Sequence, residues 1–136
     1  MEFLKLSLQG LDEFLVYFTM CIGFVVVFLA IYVHITPYRE ITLIRQGNAA
    51  AAASLSGTLI GFVLPLASAV EHSVNAYDLT IWATIALVVQ LLVYLVTRVV
   101  LPDIGRDIPA GKVASGVFLG ALSAGAGILN AASMSY

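Results

Sequence analysis

Charged residues fall in a few short stretches, and long segments without an acid, a base or a histidine run between them: residues 14–33, 46–70, 79–97 and 113–136. A helix rises 1.5 Å per residue, so about 20 apolar residues cross about 30 Å of hydrocarbon. Spanning strands would instead show alternation over about 9–11 residues, and the sequence has no such pattern. The pattern predicts four transmembrane helices, near 12–34, 49–70, 79–101 and 110–133. Asp12 and Glu13 stand where a leader peptide carries basic residues, and no small-x-small site follows the first run. That run is therefore expected to be a span rather than a cleaved leader. Residues 1–10 read as a short amphipathic stretch that either lies on the membrane surface or frays.

Composition agrees. Of 136 residues, 61% are hydrophobic and only 10% are charged, and the mean hydropathy is +1.03. A soluble fold of this size could not hide that much apolar surface. This excludes a soluble enzyme, a disordered segment and a nucleic-acid binder with a basic face. The single cysteine, Cys21, lies in the first run, leaves no disulfide framework and is expected to be inert. No Cys/His spacing suggests a metal site. The expected partner is the lipid bilayer, with no cofactor, metal or nucleic acid.

Basic residues set the expected orientation. Arg39 and Arg45 follow the first span, and Arg98, Arg106 and Lys112 follow the third, whereas Lys5 alone lies on the other side. The positive-inside rule places those loops in the cytoplasm and both termini outside, in the periplasm of a two-membrane bacterium. The five residues are expected to contact lipid head groups. Asn48 and Asp78 read as N-caps, Pro102 ends the third span and Pro109 sits near the start of the fourth. Tyr77, Trp82 and Tyr136 fall at the expected outer interface.

Spans two and four share a motif: Ser56-Gly57 with Gly61, and Ser115-Gly116 with Gly120, 59 residues apart. The chain therefore reads as one transmembrane domain, 1–136, of two tandem hairpins, about 12–70 and 79–133. The expected fold is an all-α four-helix bundle with a parallel pseudo-twofold along the membrane normal. Spans one and three are rich in bulky residues, spans two and four in Ala, Gly and Ser. Helices in lipid gain little by hiding Leu and associate through small residues. Ala53, Gly57 and Gly61, with Gly116, Gly120 and Ala124, form small-xxx-small ridges expected to pack at the centre. Either the ridges serve packing within the chain alone, or one also serves a subunit interface in a homo-oligomer.

Intramembrane polar residues are the functional candidates, because each needs a partner in hydrocarbon. Gln90 is aligned with Ala83, Ala86, Tyr94 and Thr97 on the third span. It reads as glue between helices or as a solute-selecting group. Asn130 is placed to bond across to Ser68 or Ser73, and Pro65 frees the Gly61 carbonyl, so that span two bends or coordinates a cation there. Glu71 and His72, with Asp78 nearby, read as a solvated loop, and His34 as an interfacial residue. No nucleophile–base pair, carboxylate pair or phosphate loop is visible, so no catalytic residue is assigned and the chain is not expected to be an enzyme.

The run from Asn48 through Gly57, Gly61 and Pro65 to Val70 resembles the second span of the YjfL-like bacterial inner-membrane proteins. The segments Trp82 to Gln90 and Gly125 to Met134 resemble their third and fourth spans, and the loop Ile35-Thr36-Pro37-Tyr38-Arg39-Glu40 extends the likeness over nearly the whole chain. The resemblance implies a bacterial cytoplasmic membrane and tandem two-helix units. It implies no established activity and supplies no catalytic residue. Two functional expectations follow: a homo-oligomeric channel- or transporter-like protein for ions or small solutes, or a non-conducting scaffold that recruits a cytoplasmic protein partner through loops 34–48 and 98–112. In a Cys21→Ser background, Tyr136→Cys should react with an impermeant maleimide added to cells with a permeabilised outer membrane, and Arg106→Cys should not. The opposite labelling would reverse the orientation.

Overall fold

The computed structural model describes residues 1–134, which form six helices and no strand. Four are long and apolar enough to cross a membrane: α1, Glu2–Ile35; α3, Ala49–His72; α4, Ala76–Val100; and α6, Val113–Ser133. Two short ones, α2 (Glu40–Arg45) and α5 (Ile104–Asp107), sit in the loops that precede α3 and α6.

Several ends differ from expectation. Residues 1–10 neither fray nor leave the first helix, because α1 runs unbroken from Glu2 and spans about 51 Å at 1.5 Å per residue. Its N-terminal third lacks proline and is rich in good helix formers. Asn48 caps α3 through the Ala51 amide at 3.0 Å, as read from the sequence. The cap of α4 is Asn75, not Asp78: Asn75 accepts from the Asp78 amide at 2.9 Å, and the Asp78 carboxylate accepts from the Val74 amide at 3.1 Å. This reciprocal arrangement starts the helix three residues early. Pro109 belongs to a turn rather than to α6, which starts after Gly111. Tyr136 lies outside the described residues.

Among the described residues Gly47 and Gly111 are the two positive-φ positions, at 85° and 81°, and each immediately precedes the cap of a long helix. They are 111 − 47 = 64 residues apart. The starts of α2 and α5 (104 − 40) and of α3 and α6 (113 − 49) share that spacing. The elements therefore recur at 64, not at the 59 residues that separate the glycine motifs.

α3 and α6 form the centre, with α4 and α1 outside them. Contact positions rise together along the two helices: Ala50 lies against Gly116, Gly57 against Gly120, and Gly61 against Gly127, so the helices run parallel. At each crossing a Cβ on the glycine would collide with the other helix's backbone. Ala53 meets Gly120, and Ala124 is half-buried. Close approach here is possible only without side chains. α1 joins through Phe28 and Tyr32; Phe28 stacks on Phe62 at 4.4 Å and Tyr32 meets Tyr94 edge-on at 5.7 Å. α4 turns Leu79, Ala83, Ala86, Gln90, Tyr94 and Thr97 inward. Much of the remaining apolar surface, including most of α1, faces outward as a bilayer requires.

Substituting Val at Gly57 or Gly127 should cost at least about 1–3 kcal/mol of overpacking, because the obstacle is backbone. Ala at Gly10 or Gly125, where a Cβ meets nothing, should be near neutral. Thermal unfolding in detergent compares the four; equal losses would contradict the packing.

Candidate functional site: a buried polar seam across four helices

The parallel crossing of α3 and α6 leaves a strip where polar groups from all four long helices meet. Gln90, fully buried on α4, donates through Nε2 to the Ser123 carbonyl of α6 at 3.1 Å. Gly61 makes this possible: a Cβ there would stand 2.7 Å from Gln90 Nε2 and collide with the Ser123 backbone. Thr58 of α3 donates to the Ser54 carbonyl at 2.9 Å. Its oxygen lies 3.2 Å from Ser123 Oγ and 3.5 Å from Tyr32 Oη of α1, either of which can donate to it. One residue from each long helix thus joins a single chain of contacts. Gln90 Oε1 and Tyr94 Oη, one turn apart on α4, are buried there without a partner.

Toward the loop end the seam passes Thr97 and Ser54 and reaches Thr36, Tyr38 and Glu40, all buried. The Thr36 hydroxyl donates to Glu40 Oε1, while Glu40 Oε2 has no partner. Burial pushes the Glu40 carboxyl up from its ordinary value, against the opposing effect of the Thr36 bond. Burial pushes the Tyr38 phenol up as well. Tyr38 Oη feels the Ser54 hydroxyl but makes no hydrogen bond of ordinary geometry.

The structure brings Gln90 and Tyr94 together and separates them from the other polar residues singled out in the sequence. Toward the far end of α3, beyond the Phe28–Phe62 stack, Ser68 donates to the Ala131 carbonyl at 3.2 Å. Asn130 does not bond to Ser68 or Ser73, and its Nδ2 and the Ser73 hydroxyl are buried without partners. Pro65 is buried, and the Gly61 carbonyl it frees lies against Gly127. Arg39, Arg45, Arg98 and Arg106 are exposed, and Lys112 pairs with Asp107 at 3.2 Å. Among the described residues no group of three His, Cys, Asp or Glu could hold a metal.

Sequence reading missed Tyr32, Thr36, Tyr38, Glu40, Thr58 and Ser123. Thr58 lies one position beyond the Gly57 ridge and Ser123 three beyond Gly120, so both belong to the helix faces that meet.

A family described as a Domain of Unknown Function (DUF350) matches residues 5–134. Two relatives, from Escherichia coli strain K12 and Escherichia coli O157:H7, each bear the name UPF0719 inner membrane protein YjfL. Each is 41% identical over 129 residues, covering 95% of this chain and 98% of the relative. No solved structure matches the chain.

The Thr58–Ser123 contact should carry about 0.6 kcal/mol of coupling, as interhelical hydrogen bonds in membranes average, and at most about 2. A double-mutant cycle with Thr58→Val and Ser123→Ala, read by reversible unfolding in mixed micelles, measures it. Strict additivity would show that the two hydroxyls do not interact.

Proposed function

The chain belongs to the DUF350 family, and from that premise we propose that it acts as a homo-oligomeric channel- or transporter-like protein for ions or small solutes in a bacterial inner membrane. Membrane insertion itself follows from four apolar helices and the inner-membrane relatives. The observation that carries the reading is the buried seam: Gln90 Oε1 and Tyr94 Oη stand unpartnered inside a bundle whose outside is apolar. Unmet hydrogen-bonding groups in hydrocarbon are costly, and a bundle built for packing alone has no use for them. They are of the kind that exchange partners with a passing hydrated solute.

The finer architecture fits this reading. Parallel α3 and α6, with elements recurring at 64 residues, support two tandem hairpins related by an axis along the membrane normal. The exposed basic residues on the α2 and α5 side support periplasmic termini. An apolar groove of about 700 Å³ between α4 and α6, floored by Gly125 and Ala126, supports a seat for a second copy. In this reading the chain conducts or gates and carries out no covalent chemistry. The non-conducting alternative, a scaffold for a cytoplasmic protein, draws on the exposed Arg39, Arg45, Arg98 and Arg106.

Purified protein in liposomes should pass monovalent ions or polyamines faster than empty liposomes. Gln90→Leu and Asn130→Leu, assayed as folded protein, should change that rate several-fold. Flux at the level of empty liposomes for every solute would remove the conducting reading and leave the scaffold.

A further inference from the structure

The recurrence at 64 residues supplies a comparison inside the chain. Glu40, which opens α2, corresponds to Ile104, which opens α5. Both are buried, at 1% and 0% exposure. An isoleucine closes one hairpin's corner as completely as the acid closes the other's, so an acid at position 40 is not a demand of the architecture.

The hydrogen bonds and charges around Glu40 favour its neutral form. An ionised carboxylate presents about four lone-pair sites and only accepts. Thr36 serves Oε1, the backbone amide of Glu40 itself also favours the ionised form, and Oε2 has no hydrogen-bond partner. No cation faces it from any neighbouring element. α1 contributes Tyr32, the connecting segment Tyr38, and α4 Tyr94, all within electrostatic reach of Glu40. α3 carries no ionisable residue between 49 and 70, and α5 buries Ile104, with Ile108 buried just after it. Arg98 acts on Tyr94, His34, Arg39 and Arg45 are exposed, and Lys112 pairs with Asp107. A neutral acid needs less: it carries no charge that requires a counter-ion or a second donor, and Tyr38 Oη and Tyr94 Oη, buried like Oε2, make no hydrogen bond to it. A metal ion suits the corner less well, since no group of three His, Cys, Asp or Glu side chains forms there among the described residues.

We propose that Glu40, with Thr36, Tyr38 and Tyr94 around it, is a proton-binding site, occupied as the neutral carboxylic acid in the resting fold. Hydronium from the aqueous phase on the α2 side delivers the proton to Oε2 and leaves as water; release is the reverse, and no other bond changes. Desolvation of the carboxyl acts in the same direction. The inference concerns one carboxyl and stands apart from the solute-passage reading, which can fail without affecting it.

Infrared spectroscopy of the full chain in phosphatidylcholine–phosphatidylglycerol vesicles tests it. At pH 7 the wild-type protein should show the carbonyl stretch of a protonated carboxylic acid; the other seven side-chain carboxyls occupy exposed or half-buried positions. The band should disappear in Glu40→Gln, which keeps the shape of the neutral acid. In the wild type it should give way to carboxylate absorption as pH rises. If Glu40→Gln does not insert, Glu40→Asp supplies the assignment by moving the band. The proposal is overturned if the wild type has no band at pH 7, or if the band stays unchanged in the Glu40 variant. A band abolished by sodium chloride but not by choline chloride at fixed pH would also overturn it, because a metal cation would then hold the site.

Discussion

Everything in this bundle is tied to how closely α3 can approach α6. In hydrocarbon, burying a leucine gains almost nothing, so helix association must come from van der Waals contact and hydrogen bonds at short range. The chain achieves that range by omitting side chains where the helices cross, at Gly57, Gly61, Gly116, Gly120 and Gly127. Gly61 serves two purposes at once. The missing Cβ admits the Ser123 backbone, and the same space admits the Gln90 amide that bonds to it. Packing and polar contact are therefore a single arrangement: moving α6 outward to accept a side chain at Gly61 would also take away the acceptor of Gln90.

The sequence disclosed what depends on long-range averages and hid what depends on individual placement. Four apolar runs gave four spans, since in lipid a helix satisfies its whole backbone within one segment and the runs lack the alternation of barrel strands. The inward stripe of α4 was legible from helical spacing, and Ala83, Ala86, Gln90, Tyr94 and Thr97 all turn inward. The repeat register was not legible from the glycine motifs. In helices with small residues at every fourth position, several alignments match nearly as well, and the glycine motifs recur at 59 residues where the helix starts recur at 64. The turn glycines mark the register better, because positive φ is a requirement of one position rather than a preference of many. Gly111 was harder to read than Gly47, since Lys112 lacks the capping side chain that Asn48 offers.

The loop end was misjudged for a related reason. Residues 36–45 carry Arg39, Glu40 and Arg45, and the charge pattern places this loop in the cytoplasm with its arginines at the head groups. The two arginines are exposed, but the six-residue α2 turns Glu40 inward beside Thr36 and Tyr38. A short helix lying under the ends of longer ones can bury one face, and a charge pattern alone does not tell which residue lies on it. The available clue was the apolar and aromatic company of Glu40, with Tyr38 before it and Ile41, Leu43 and Ile44 after it.

The seam is one-sided. It begins at Glu40 and runs past Tyr32 and Tyr94 to Gln90, at the level where Gly61 meets Ser123. Beyond that level the Phe28–Phe62 stack and the buried Leu66, Ala69 and Ala83 close the bundle, and the next polar groups are Ser68, Ser73 and Asn130 near the far end. Any passage through a single chain would have to part that aromatic stack, which α1 supplies from one side and α3 from the other. α1 buries Phe28 and Tyr32 and packs Tyr17, Met20, Phe24 and Leu29 against the core, while α3 is locked to α6 by backbone contact. The glycine-locked pair thus fixes Thr58 and Ser123, and α1 covers them from one side.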